Sequence, residues 1–151
     1  MIERLVSVTI DSASLNEVHE ALTKALSKIR KENPYEQVGF VSGIITSDGP
    51  LYVERNLKKL KEETDKIRRG YPFLIFSAID VIPPEVIEQE RAGIIGPADF
   101  IPFWRDVLSY CTDIFMTPRW QESYGANDEH ETAKRLGICI HYIEAQEQLS
   151  R

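Results

Sequence analysis

Residues 113–143 read DIFMTPRWQESYGANDEHETAKRLGICIHYI. Asp113–Met116 is a short apolar block, a strand. Thr117–Asn127 is a polar loop containing proline and glycine. Asp128–Leu136 is a helix that stops at Gly137. Ile138–Ile143 is a further strand. Strand, loop, helix and strand in this order make a βαβ unit, whose two strands run parallel.

The same alternation extends upstream. Gln37–Val41 and Phe73–Ala78 read as strands. Between them lies a helix with Val53, Leu57, Leu60 and Ile67 on one face, ended by Gly70. Its outer face offers i,i+4 pairs: Lys58 with Glu62, Lys59 with Glu63, and Lys61 with Asp65. Phe103–Tyr110 reads as a short helix. Ile79–Pro102 contains Pro83, Pro84, Gly93, Gly96, Pro97 and Pro102, and is expected to be a loop with one helical turn near Glu85–Glu90. A connection of that length either covers a ligand site or is a surface insertion. At the start of the chain Leu5–Ile10 reads as a strand. Ser14-Leu15-Asn16-Glu17 has the spacing of a capping box. Leu15, Val18, Leu22, Ala25, Leu26 and Ile29 then mark a helix to about Lys31, stopped by Asn33-Pro34.

The pattern predicts one α/β domain over residues 1–151. Its expected form is a flavodoxin-like or Rossmann-like three-layer sandwich with a mainly parallel sheet of about five strands. Three loops, Ser42–Pro50, Ile79–Pro102 and Thr117–Asn127, leave strand ends and should gather on one edge of the sheet, where such folds bind ligands.

Composition narrows the function. There are 18 Lys+Arg against 24 Asp+Glu, a net charge of -6, and no basic cluster marks a nucleic-acid groove. Duplex nucleic acid is not an expected partner. A small anion stays compatible, since backbone N–H groups can bind one locally. The opening MIERLVSVTI lacks the apolar stretch of a signal peptide, and no segment approaches the ~20 apolar residues of a membrane span. The expected location is the cytoplasm, with no membrane partner. Cys111 and Cys139 adjoin apolar strand-like runs and read as small core residues. No CxxC or Cys/His spacing is present, so neither a metal nor a cofactor is expected.

Within Thr117–Ala133, helical spacing turns Glu129 toward the sheet with Ala126, Ala133 and Leu136, and Glu131 toward solvent. A carboxylate so placed needs a partner or a task. Alternatively it is a first-turn glutamate favoured by the helix dipole. Ser123-Tyr124-Gly125-Ala126 joins a hydroxyl, a glycine and a helix start, which suits an anion; by pattern alone, plain helix capping is the favoured reading. Asp106 is either a functional acid or an exposed helical aspartate. His19 and His130 read as structural, and His141 lies on the last strand.

Asp113-x-Phe115…Pro118-x-Trp120-x2-Ser123-x-Gly125-Ala126-x2-Glu129-x3-Ala133-x3-Gly137 resembles the nucleoside 2-deoxyribosyltransferase-like superfamily, which includes nucleoside 5′-monophosphate N-glycosidases. Phe40-Val41-Ser42-Gly43, Asn56 and Asp106 also fit, over roughly Gly39 to Ile143; residues 1–36 have no counterpart. The resemblance implies roles. Glu129 would be the nucleophile at the anomeric carbon and Ser123 a ligand of the 5′-phosphate. Asp106 would be an acid near the base and sugar. Ser42, Gly43, Asn56, Trp120 and Gly125 would contribute to substrate binding. It also implies a homo-oligomer acting on a nucleoside or nucleoside 5′-monophosphate. Ala126 and Glu131 stand where deoxyribosyltransferases commonly carry threonine and glycine. The alternative is a binding module of the same fold that performs no chemistry.

Overall fold

The computed structural model describes residues 1–145. Four parallel strands form the sheet: β1 (Val38–Ser42), β2 (Leu74–Ser77), β3 (Asp113–Met116) and β4 (Cys139–Tyr142), in the order β2-β1-β3-β4. The helices are α1 (Ile2–Thr9), α2 (Leu15–Glu32), α3 (Val53–Gly70), α4 (Ala78–Val81), α5 (Pro84–Arg91), α6 (Pro97–Leu108) and α7 (Tyr124–Leu136).

Side chains alternate across the sheet with period two. Val38, Phe40, Leu74, Phe76, Ile114 and Met116 face α1, α2, α6 and α7. Val41, Ile75 and Phe115 face α3 through Leu60 and Ile67. The result is the expected three-layer sandwich. Right-handed crossovers explain the placement of the helices. The chain leaves β1 for β2 in one direction and later moves from β3 to β4 in the other, so α3 and α7 lie on opposite faces. Strand order reverses between β1 and β3, and a crevice opens there.

Two expectations are corrected. Leu5–Ile10 is not a strand. Its β-branched residues belong to α1, in which Leu5 and Thr9 are buried one turn apart. Packing of α1 against α2 and α4 overrides strand propensity, and the sheet has four strands rather than five. Ile79–Pro102 is not a loop with one turn, because α4, α5 and most of α6 occupy it. Pro84 and Pro97 stand at the first positions of α5 and α6, where a missing N–H is harmless. Helix α7 also begins earlier than predicted, at Tyr124, with Ser123 as its N-cap and Gly137 closing it at φ 72°. Among the i,i+4 pairs of α3, Lys61 and Asp65 meet at 3.0 Å. No helix among the described residues is long and apolar enough to cross a membrane.

Candidate functional site

The three predicted loop regions do converge. A cavity of about 490 Å³ lies beyond the carboxyl ends of β1 and β3. Its walls come from Gly43 and residues 45–47 after β1, from the α4–α6 segment (Ile82, Ile87, Glu90, Phe100, Ile101, Trp104), and from residues 122–126, Asp128 and Glu129. Most of this wall is apolar, so a carboxylate facing it is poorly solvated.

Glu129 is such a group, at 8% exposure. It is the sixth residue of α7, beyond the first turn in which the helix dipole acts. The dipole explanation therefore loses its footing. Ser42 at the end of β1 donates from Oγ to Glu129 Oε1 at 2.5 Å. Burial pushes the Glu129 carboxyl up to about 8; the Ser42 bond opposes that shift, and adjacent Asp128 adds to it. With its carboxyl near 8, the group is mainly protonated at neutral pH.

Ser42 is buried behind the cavity wall rather than on it, whereas Gly43, which follows it, lines the cavity. A β-carbon there would sit 2.6 Å from Thr117 Oγ1 and 3.1 Å from Leu60. Thr117 donates to the Ser42 carbonyl at 2.8 Å, pinning the ends of β1 and β3 together. Ser123 and Gly125 lie on the wall. Ser123 Oγ accepts from Ala126 N at 3.1 Å, so its oxygen caps α7. Tyr124 N donates to Ser47 Oγ at 3.2 Å. Two N–H groups at this helix end are thus already engaged.

Other candidates lie elsewhere. Asp106 does not reach the cavity. Phe103, Trp104, Val107 and Leu108 form the buried stripe of α6, which turns Asp106 outward, where its carboxylate meets His19 Nε2 at 2.7 Å. Its assignment as an acid at the site is corrected to an exposed surface pair. Asn56 is buried beside the cavity rather than on its wall; its Nδ2 donates to Ile45 O at 3.2 Å and to Asp48 at 3.1 Å, bracing the loop after β1. Trp120 stacks on His130 with centroids 4.3 Å apart and does not line the cavity. Cys111 is buried as predicted, but Cys139 is exposed on edge strand β4.

Glu90 is the residue that sequence reasoning missed. It projects from α5 onto the cavity wall, half-buried, and burial alone raises its carboxyl above the ordinary range. Among the described residues, four acidic side chains line the cavity, Glu90, Glu122, Asp128 and Glu129, and no Lys or Arg does. Asp128 is gripped by the guanidinium fork of Arg105, at 3.0 Å from Nε and 2.5 Å from Nη2. Glu122 takes two bonds from Arg119, each 2.9 Å. That leaves Glu90 and Glu129 as the lining carboxyls with no cationic partner among the described residues. Such a pair can accept, hold or deliver protons inside an apolar cleft.

The chain belongs to the family described as Domain of unknown function (DUF4406), whose model matches residues 37–142. That span holds the whole sheet and the complete cavity wall, and excludes α1 and α2. Comparison with curated proteins and with solved structures gave no match.

Proposed function

We propose, for this member of the DUF4406 family, cleavage or transfer of the N-glycosidic bond of an unphosphorylated nucleoside, with Glu129 as nucleophile. The observation that carries the reading is Glu129 itself: a carboxyl buried in a cavity at the topological switch point, held by one hydroxyl and no cation. The resemblance of the Ser123–Glu129 motif to nucleoside 2-deoxyribosyltransferase-like proteins supplies the reaction class.

The chemistry balances. The Glu129 carboxylate forms a bond to the anomeric carbon as the bond to the base nitrogen breaks. The electron pair leaves with the base, which takes a proton from Glu90. Water then attacks the glycosyl ester, gives its proton to the Glu90 carboxylate and releases the sugar and the Glu129 carboxylate; an acceptor base that attacks in its place loses its N–H proton to Glu90 and yields a new nucleoside. With a carboxyl near 8, about a tenth of Glu129 is ionised at pH 7. Positive charge developing on the sugar favours the ionised form.

The acidic wall argues against a phosphate on the substrate. A dianion would meet no Lys or Arg among the described lining residues, and its charge would oppose the ionisation of Glu129 that attack requires. The capped start of α7 offers it little compensation.

The raised Glu129 carboxyl favours a second reading. A protonated Glu129 can donate to a nucleoside that the site binds without turnover. Incubation with ribo- and deoxyribonucleosides and their 5′-monophosphates, followed by chromatography of free base, separates the readings. Release of base that is lost in Glu129→Ala supports the enzyme. Thermal stabilisation by nucleosides with no base released supports the binding module. Neither effect from any compound removes both.

A further inference from the structure

We propose that Asp113, Cys139 and His141 form a binding site for a divalent metal ion of the zinc type, at the end of the sheet opposite the cavity. Asp113 and Cys139 are the first residues of β3 and β4 and are register partners; His141 pairs with Phe115 one step along. Period-two alternation puts Asp113, Cys139 and His141 on one face, the face of α3. A carboxylate oxygen, a thiol sulfur and an imidazole nitrogen there all lie within 4.8 Å of one another. Zinc bonds of 2.0–2.3 Å in a tetrahedron place donors about 3.3–3.8 Å apart. Closing the set therefore needs only side-chain adjustment. Asp113 and His141 Nε2 already meet at 2.7 Å.

The chemistry of the donors selects the ion. Mixed sulfur, nitrogen and oxygen ligation suits zinc and its neighbours, whereas calcium and magnesium require oxygen sets. Supporting groups are in place as well. Asp113, 2% exposed, accepts from Thr112 Oγ1 at 2.6 Å and from Gln37 Nε2 at 3.1 and 3.2 Å. The His141 ring is stacked on Phe115 at 4.4 Å, with Tyr71 against its edge. Such outer partners fix ligand orientation in metal sites. Cys139 is exposed, which gives an ion a direct approach and leaves the fourth position to water. Cys111 is no rival ligand, since it is buried in the core on the other face of the sheet, its Sγ donating to Val107 O at 3.6 Å.

The test uses the full chain, stripped with chelator and titrated with Co²⁺ and then Zn²⁺. One Co²⁺ per chain should bind and give the near-ultraviolet thiolate-to-cobalt absorption, which Zn²⁺ bleaches. Cys139→Ser should abolish that absorption while the circular dichroism stays native. His141→Gln should weaken affinity roughly tenfold or more. X-ray absorption of the zinc-loaded wild type should show one sulfur at about 2.3 Å among nitrogen and oxygen ligands; this reads the site even if a variant fails to fold. Absence of stoichiometric binding, binding without a sulfur ligand, or affinity unchanged in both variants overturns the proposal.

Discussion

Ser42 Oγ donates to Glu129 Oε1 across 2.5 Å, joining the last residue of β1 to the second turn of α7. Among the described residues, this bond favours the ionised form of Glu129 against burial and the Asp128 charge. Ser42→Ala should therefore raise the Glu129 carboxyl further. It should also cost about 1–3 kcal/mol, because a buried polar group loses its partner. Carbon-13 NMR titration of glutamate carboxyls gives the first quantity and urea denaturation the second. A Glu129 carboxyl that titrates lower in the variant than in the wild type, or an unchanged urea midpoint, would contradict this account.

Glu129 also imposes a pH dependence on stability. Its folded-state value, about 8, lies above the ordinary glutamate value of 4.5. The fold therefore favours the protonated form. The stabilisation is complete below pH 4.5 and is lost as pH rises toward 8, with a slope of about 1.4 kcal/mol per pH unit within that window. Glu129→Gln mimics the protonated form and keeps an acceptor for Ser42. The variant should match the wild type near pH 4.5 and become the more stable of the two by a widening margin up to pH 8. Urea midpoints at pH 5, 6, 7 and 8 measure this; parallel curves would show that Glu129 is not desolvated.

The architecture was legible where one pattern dominated. Asp113–Met116 is uniformly buried, and its neighbours alternate cleanly with helices. Leu5–Ile10 was not, because a short β-branched run fits a strand as well as a helix. Only the fit of Leu5 and Thr9 against α2 and α4 decides it, and that is a tertiary fact. The α4–α6 region was hidden by its prolines, whose meaning changes once Pro84 and Pro97 are recognised as helix starts. Losing α5 meant losing Glu90. Val86 is buried on α5, and Glu90 follows it by one turn on the same side; that spacing was the available signal. For Asp106 the signal was also present. It lies two residues past Trp104, about 200° round the helix, and so points outward.

Gly43 ties fold to site. Its missing β-carbon lets β1 and β3 end in contact, with Thr117 Oγ1 only 2.6 Å from where that atom would be. Gly43→Ala should destabilise by about 1–3 kcal/mol through overpacking. It should also displace Ser42 and so disturb the Glu129 carboxyl. Urea denaturation measures the first effect, and the same NMR titration measures the second. Full stability together with an unchanged titration would mean that the strand ends are not tightly joined.

Glu90 gives the sharpest test of the proposed chemistry. It faces the same cavity as Glu129 from α5, and burial raises its carboxyl without an offsetting charge. As proton donor to the leaving base, it should matter in proportion to the basicity of that base. Glu90→Gln should lower kcat by about 10²–10⁴-fold for nucleosides with poor leaving groups. Nucleosides whose base departs easily without protonation should lose far less, since their transition state needs no acid. A wall residue that only shapes the cavity would instead raise KM for every substrate alike. Measuring kcat and KM across a leaving-group series therefore separates the roles: uniform loss assigns Glu90 to the wall, and loss graded with leaving-group basicity assigns it the proton.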